Sequence, residues 1–345
     1  MQQVDGTENA RITIEGAGGT SGRDSVVLRG AGTSSRMFGV MHDYYTLQDF
    51  TIDGLAVDDK NDVNGNTFKD DYRDIPLYVT AGREPSERRG GYRSALDGLI
   101  VRGMNIKNAG GECIRLRDFV THADIDGNSI MNCGVYDFVF GDWNYSKNGE
   151  GVYIGTSNKQ WVDGKNYSDE PDMCLGIVVR NNVIATHGNE GVDVKEGCEE
   201  TVIEDNTISA QLDADGAAID SRADRSIIRN NVVENTAGSC IRVGGNSVDG
   251  RVYGINNQVT GNTLGNCRDS GIRIMVSPQL IMCGNDVTPP LGENADGYKP
   301  LRGDFAEHYN PLAGCDVDPQ TPTTPTPAPS PAQGTSHPQT PPPTT

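Results

Sequence analysis

The sequence predicts an all-β solenoid, in which short strands wind into stacked coils, and three observations carry that reading. An apolar-x-x-Asn-x-apolar pattern returns in IVVRNNVI, TVIEDNTI, SIIRNNVV, QVTGNTL and LIMCGNDV, with steps of 24, 25, 31 and 23 residues between Asn182, Asn206, Asn231, Asn262 and Asn285. Glycine supplies 43 of the 345 residues and hydrophobic residues only 35%, so the core has to come from thin, turn-rich layers rather than thick helices. Within each repeat, short Val/Ile-rich stretches are bounded by Gly or Asn, and a second stretch such as GVDVKEG or CIRVGG follows. Unequal steps near 24 residues fit coils that each contact only their neighbours. A β-sandwich does not return one Asn at the same phase.

Taken in order, RITIEG, SVVLRGAG, MFGVMHD and YTLQDFTIDG read as strands of the first coils. Asn128, in DIDGNSI, lies 54 residues before Asn182, which leaves room for two coils and an insertion. Two insertions, at about residues 55 to 97 and 142 to 172, interrupt the stack, and long loops on a rigid solenoid carry function or partner contacts. The second contains two glycosylation sequons, at Asn144 and Asn166. The division that follows is a solenoid over 1–287, an irregular cap over 288–318 and a tail over 319–345. The tail holds 10 of the 18 prolines and 8 threonines, with no Asp, Glu, Lys or Arg, and reads as a Thr/Pro-rich linker or stalk, either an O-glycosylated spacer or a disordered end.

The recurrent Asn and the flanking strands resemble the right-handed parallel β-helix, or pectate-lyase-like, superfamily over roughly residues 10 to 287. The resemblance implies an Asn ladder at an inner bend, where stacked amides bond along the ladder and satisfy turn backbone. It implies no single activity, because the superfamily spans lyases, hydrolases, epimerases, phage spikes and structural proteins.

The eight cysteines contain no CxxC pair, which disfavours a zinc ribbon or a thioredoxin-type site. The repeat register superposes Cys174 on Cys198, one coil apart and within disulfide reach. Cys113 and Cys240 share a phase, each followed a coil later by a cysteine at a bend, Cys133 and Cys267, which leaves Cys283 with Cys315. Four disulfides imply an oxidising compartment, hence a secreted or extracellular protein. The competing reading is buried free thiols.

Alternation places one residue in two on the outer face of each strand. Aligning CIRLR, DFVFG, GVYIG, GVDVK, AIDSR, CIRVG and GIRIM on their inward residues gives an outward column Arg115, Val139, Tyr153, Asp193, Asp220, Arg242, Arg273. The next outward column is Arg117, Gly141, Gly155, Lys195, Arg222, Gly244, Met275. Superfamily members that cleave uronate glycans by β-elimination neutralise the sugar carboxylate with calcium or Arg and take the C5 proton with Lys or Arg. On that pattern Lys195 is the base with Arg222 beside it, Asp193 and Asp220 share a Ca2+, and Tyr153, Arg242 and Arg273 bind substrate. Glu190 and His187 are further candidates from the preceding bend. The bland alternative is a solvated strand face that balances its charges.

A formal charge of -19 disfavours nucleic-acid binding, and no apolar run is long enough to span a bilayer. The opening MQQVDGTENA lacks signal-peptide character, so a removed leader or a fragment is expected. The leading expectation is a secreted polysaccharide-active protein, a lyase of uronate-containing glycans favoured over a glycoside hydrolase that would use Asp193 and Asp220 as its two carboxyl groups, with an acidic polysaccharide or cell-wall glycan as partner. The alternative is a non-catalytic structural or adhesive β-helix glycoprotein that self-assembles through open β-helix ends.

Overall fold

The structure is a computed structural model that describes residues 4–30, 35–56, 69–81, 95–141, 148–162, 170–290 and 297–315. Three parallel sheets of nine strands each run the length of the stack, and each coil contributes one strand to each sheet in turn. The first sheet starts at Ile12–Glu15 and ends at Ile281–Cys283, and the third starts at Val27–Arg29 and ends at Asp286–Thr288. The second sheet, which carries the site, runs from Arg36–Val40 through Ile75–Thr80, Ile114–Arg117, Val152–Ile154, Val192–Val194, Ala217–Ser221, Ser239–Val243 and Ser270–Ile274 to Lys299–Arg302.

Exact register turns the sequence repeat into columns. In the second sheet Ile114, Val152, Val192, Ile219, Ile241 and Ile272 stack inward, each the direct partner of the next. All six are buried, as are the corresponding Val101, Ile125, Val179, Ile203, Ile228 and Val259 of the first sheet. Burying a Val or Ile side chain contributes about 1.5–3 kcal/mol, so each coil adds a similar increment and the fold is stabilised layer by layer.

The Asn ladder is present. The Asn182 side-chain amide donates to Asn206 Oδ1 at 2.9 Å, Asn206 to Asn231 at 3.0 Å, Asn231 to Asn262 at 3.0 Å and Asn262 to Asn285 at 2.8 Å. Asn128 begins the chain by donating to Asn182 at 3.0 Å. Each acceptor oxygen also takes the backbone N–H of the preceding Asn, so the buried amides are satisfied in both directions. The residues just before the rungs, Gly127, Asn181, Asp205, Asn230, Gly261 and Gly284, all have φ between 55° and 66°. Gly, Asn and Asp are the residues that tolerate this left-handed bend, which explains the paired NN, DN and GN in the repeats.

Three disulfides match the expected pairs: Cys113–Cys133, Cys240–Cys267 and Cys283–Cys315, with Cα separations of 5.5, 5.5 and 5.1 Å. The expected Cys174–Cys198 bond is corrected, because both residues are buried thiols. They are neighbours in the stack, as the Leu175–Glu199 bridge shows, and hydrogen-bond to each other. Other acceptors serve the same sulfurs: Asp172 Oδ1 lies 3.4 Å from Cys174 Sγ, and the carbonyls of Ile154 and Asp172 receive Cys198. The thiol form is therefore satisfied in place, and burial pushes both pKa values up.

Two further expectations change. The segment after residue 287 is not wholly irregular, since Lys299–Arg302 pairs in parallel with Ser270–Ile274 as the ninth strand of the second sheet. DFVFG is not a coil strand: after the left-handed Gly134, Val135–Val139 forms a helical turn, and Val139 is 65% exposed. Its strand slot is filled by Val152–Ile154, so Gly141 also leaves the outward columns. Asn144, Asn166 and the tail lie outside the described residues.

Candidate functional site

With Val139 and Gly141 removed, the remaining outward columns are as read from the sequence. Arg115 pairs in register with Tyr153, Tyr153 with Asp193, Asp193 with Asp220, Asp220 with Arg242, Arg242 with Arg273 and Arg273 with Arg302. The second column continues by ladder hydrogen bonds that tie Gly155 to Leu116, Lys195 to Ile154, Arg222 to Val194, Gly244 to Ser221 and Met275 to Val243. Parallel pairing therefore brings Lys195, Arg222, Tyr153, Asp193, Asp220 and Arg242 onto one patch that spans four successive coils.

This patch is not the solvated face of the bland reading. Asp193 and Asp220 are fully buried, Tyr153 is nearly so, and Lys195 is only 6% exposed. The described end of the second insertion contributes to a wall beside it. Trp161 packs edge-on against Tyr253 with centroids 5.7 Å apart, and Asn246 Nδ2 donates to Asn158 at 3.3 Å and to Glu196 Oε1 at 2.6 Å.

Charge pairing assigns most of the cations. Lys195 Nζ donates to Asp193 and stands 4.7 Å from the centre of the Tyr153 ring. Arg115 pairs with Glu112 and lies over the other side of the same column, 4.9 Å from the Tyr153 centroid. Asp220 accepts from Arg222 Nε and Nη2 at 3.1 and 3.0 Å and from Arg242 Nε at 2.9 Å. Burial would raise the Asp220 pKa, but Arg242 and Arg222 outweigh it and hold the carboxyl well below its usual range. Burial likewise disfavours the charged form of Lys195, yet Asp193 and Tyr153 prevail and raise its pKa above the ordinary value. Lys195 is thus an ammonium in the free protein, whereas the sequence-derived role of base requires the neutral amine. Nor is it the exposed side chain that its place on a strand face suggested.

The pairing of Asp193 with Asp220 as a shared cation site does not fit either. They are direct strand neighbours, but Asp220 is committed to two guanidinium groups, which repel a cation. The oxygen cluster lies on the other side of Asp193: carboxylate oxygens of Glu150, Glu190 and Asp193 lie within 4.8 Å of one another, all buried. Glu190 Oε2 and Asp193 Oδ1 have no hydrogen-bond partner. Burial, then Glu112, pushes Glu150 up to about 7, and burial with Asp193 and Glu150 pushes Glu190 well above its ordinary value. Glu112 and Glu150 escaped the sequence reading, although a signal exists. GECI, GEGV and NEGV put Glu112, Glu150 and Glu190 each two residues before an inward Ile or Val, at one phase on three successive coils.

Three parallel sheets wound coil upon coil define a parallel β-helix, and comparison with known proteins places the chain in that class. The family profile described as the right handed beta helix region matches residues 97–292, more than half of the chain, and the protein belongs to that family. Among solved structures, an alginate lyase from Paenibacillus sp. aligns with a TM-score of 0.59 and 16% identity over 86% of this chain and 86% of that one. A DFA-IIIase from Arthrobacter chlorophenolicus aligns with a TM-score of 0.44 and 14% identity over 80% of this chain and 64% of that one. The Dettilon tailspike protein aligns at 0.41 and 13% over 85% and 51%. At these identities the likeness is one of fold. No curated protein sequence matches.

Proposed function

We propose that this protein is a secreted polysaccharide-active β-helix that cleaves a uronate-containing glycan by β-elimination at Tyr153 and Lys195. The observation that carries the reading is the phenol of Tyr153, buried on the outward column and flanked by the cations of Arg115 and Lys195. Elimination removes the proton at C5, breaks the bond from C4 to the glycosidic oxygen and leaves a C4–C5 double bond. It needs one group to take a proton and one to supply charge or a proton to the departing oxygen. Lys195 is charged and suits the second task. Tyr153 suits the first, because two neighbouring cations favour its phenolate, although burial holds the free phenol up at about 12. The alginate lyase of similar fold is consistent with an acidic glycan as substrate.

If the reaction uses calcium, the carboxylates that fit it are Glu150, Glu190 and Asp193, a hard oxygen set with two unpartnered oxygens. Such an ion would supply positive charge against a sugar carboxylate. Secretion accords with the three disulfides, and no helix among the described residues is long and apolar enough to cross a membrane.

The test is incubation with a panel of uronate polymers, with and without calcium, while the absorbance of unsaturated products is followed. Absence of product from every polymer defeats the elimination reading. A structural, self-assembling role is the second reading, and one observation favours it. Ile14 and Leu28 occupy the inward rows above Leu47 and Ile52, yet are 37% and 39% exposed. Light scattering that finds a monomer at all concentrations removes that reading.

A further inference from the structure

The ion pairs on the site face can be counted by what is left over. Arg115 is taken by Glu112, Lys195 by Asp193, Arg222 and Arg242 by Asp220, and Arg302 by Asp269. Among the described residues of the two outward columns, Arg117 and Arg273 make neither a hydrogen bond nor an ion pair. Arg117 is the more telling, for it is 5% exposed and its Nε and Nη2 have no partner. An unpaired guanidinium costs several kcal/mol of desolvation unless an anion arrives to meet it. Its register is that of Lys195, two coils away, with Gly155 between them.

Arg273 stands at the other end of the face. It is half-buried and lines a cavity of about 690 Å³ together with Met275, Lys299 and Arg302. Four acidic groups line the same cavity, but Asp269 is engaged by Arg302, Ser239 and Ser270, and Asp215, Asp304 and Glu307 are exposed. Five in-register steps separate the coil of Arg117 from that of Arg273, which at about 4.8 Å per step is roughly 24 Å.

We propose that Arg117 and Arg273 are two carboxylate anchors for one extended acidic glycan, which lies along the column with Arg117 holding the sugar beside Tyr153 and Lys195. The proposal rests on the elimination reading for the sugar class only. A pyranose repeat is of the order of one strand spacing, so the span takes roughly five sugars and sets a minimum length for tight binding. Bidentate pairing with planar carboxylates is what a free guanidinium offers and what the committed arginines of the face no longer do.

The experiment is calorimetric titration of the full chain carrying Tyr153→Phe with oligouronates from dimer to hexamer, with product absorbance followed in parallel on the otherwise unmodified protein. Arg273→Ala is expected to weaken hexamer binding about ten-fold or more and to leave the dimer unchanged. Arg117→Ala is expected to weaken every length, and Arg117→Lys to recover part of the loss. The melting temperature of Arg117→Ala should not fall, since the substitution removes an unpaired buried charge, whereas a structural arginine would lose stability. Should Arg117→Ala fail to fold, that alone counts against the proposal, and Arg117→Lys with Arg273→Ala still reads the two anchors. Equal hexamer binding by either alanine variant, equal competition by an uncharged oligosaccharide of the same length, or no binding by the parent overturns it. Binding that follows the predicted pattern without any product supports the anchors while removing the elimination chemistry.

Discussion

The ammonium of Lys195 stands 4.7 Å from the centre of the Tyr153 ring, on the adjoining coil, while Asp193, the strand neighbour of Tyr153, accepts its proton-bearing nitrogen. This one relationship sets the protonation states from which any chemistry starts. Asp193 keeps Lys195 charged, and burial keeps Tyr153 neutral with a pKa of about 12.

A phenol that must lose its proton to act as base becomes more competent as pH rises. Turnover is therefore expected to climb from neutral into the alkaline range by up to about ten-fold per pH unit, with no descending limb until Lys195 titrates above its ordinary value. Tyr153→Phe should lower the rate by at least about 100-fold with little change in melting temperature. A rate that peaks at acidic pH, or a Phe variant with full activity, excludes Tyr153 as the proton acceptor.

Lys195→Ala has a stability cost that its place on a strand face would not suggest. It leaves Asp193 buried beside Glu150 and Glu190 without its cation, a loss of about 3–5 kcal/mol for a broken buried pair. Lys195→Arg keeps the charge and should lose far less. Chemical denaturation of the two variants measures the difference, and equal midpoints would mean that the pair contributes nothing.

The ladder makes a separate prediction at Asn206. This residue donates to Asn231 and to the Val179 carbonyl and accepts from the Asn182 amide and backbone, so Asn206→Leu strands several buried groups at once. A loss of about 1–3 kcal/mol per unsatisfied group follows, which makes this substitution more damaging than loss of an equally buried Ile methyl group. Thermal unfolding that shows Asn206→Leu within 1 °C of the parent would be incompatible with the ladder bearing on stability.

The fold was legible because each coil writes the same physical demands into the sequence. Asn206 and Asn231 each follow a residue that tolerates a left-handed bend, and each lies two residues before an apolar residue directed inward, Ile208 and Val233. The outward columns were legible for the same reason, since parallel pairing preserves phase from Ile114 to Ile272. Two kinds of information were not. DFVFG has the composition of a strand but follows Gly134, whose φ of 76° turns the chain into a helical turn, and no periodicity distinguishes five residues of one from the other. The partners of charged side chains were also hidden. Asp220 faces Asp193 in sequence phase, but the reach of Arg222 and Arg242 decides that it is an ion-paired carboxylate rather than half of a cation site. The Cys174–Cys198 proximity was correctly read, whereas the state of the sulfurs depends on acceptors such as Asp172 that lie outside the repeat.

That sulfur arrangement yields a mapping result. Alkylation under native conditions should label neither Cys174 nor Cys198, both being fully buried, while alkylation after denaturation without reductant should label these two and no other cysteine. Peptide mapping that finds six or more free thiols, or none, contradicts the assignment of three disulfides.

The last prediction concerns the carboxyl cluster and turns on sign. Glu150 has a folded pKa of about 7, raised by burial and by Glu112, against 4.5 as its ordinary value, and Glu190 is raised as well. A raised carboxyl binds more protons in the folded than in the unfolded state, so its contribution is complete below about pH 4.5 and is lost as pH rises through about 7. For Glu150 the loss is on the order of 3 kcal/mol, and Glu150→Gln, which stays neutral, should flatten that part of the pH profile. Calcium acts in the opposite direction, because it binds the ionised cluster. If Glu150, Glu190 and Asp193 hold the ion, calcium at about a hundred times its Kd restores about 2.7 kcal/mol above pH 7 and little below pH 5. Melting temperatures measured from pH 5 to pH 9, with calcium or with a chelator, separate the outcomes. Calcium stabilisation that is equal at both ends of the range, or that survives Glu190→Gln, places the ion elsewhere, and a profile unchanged in Glu150→Gln removes Glu150 as the titrating group.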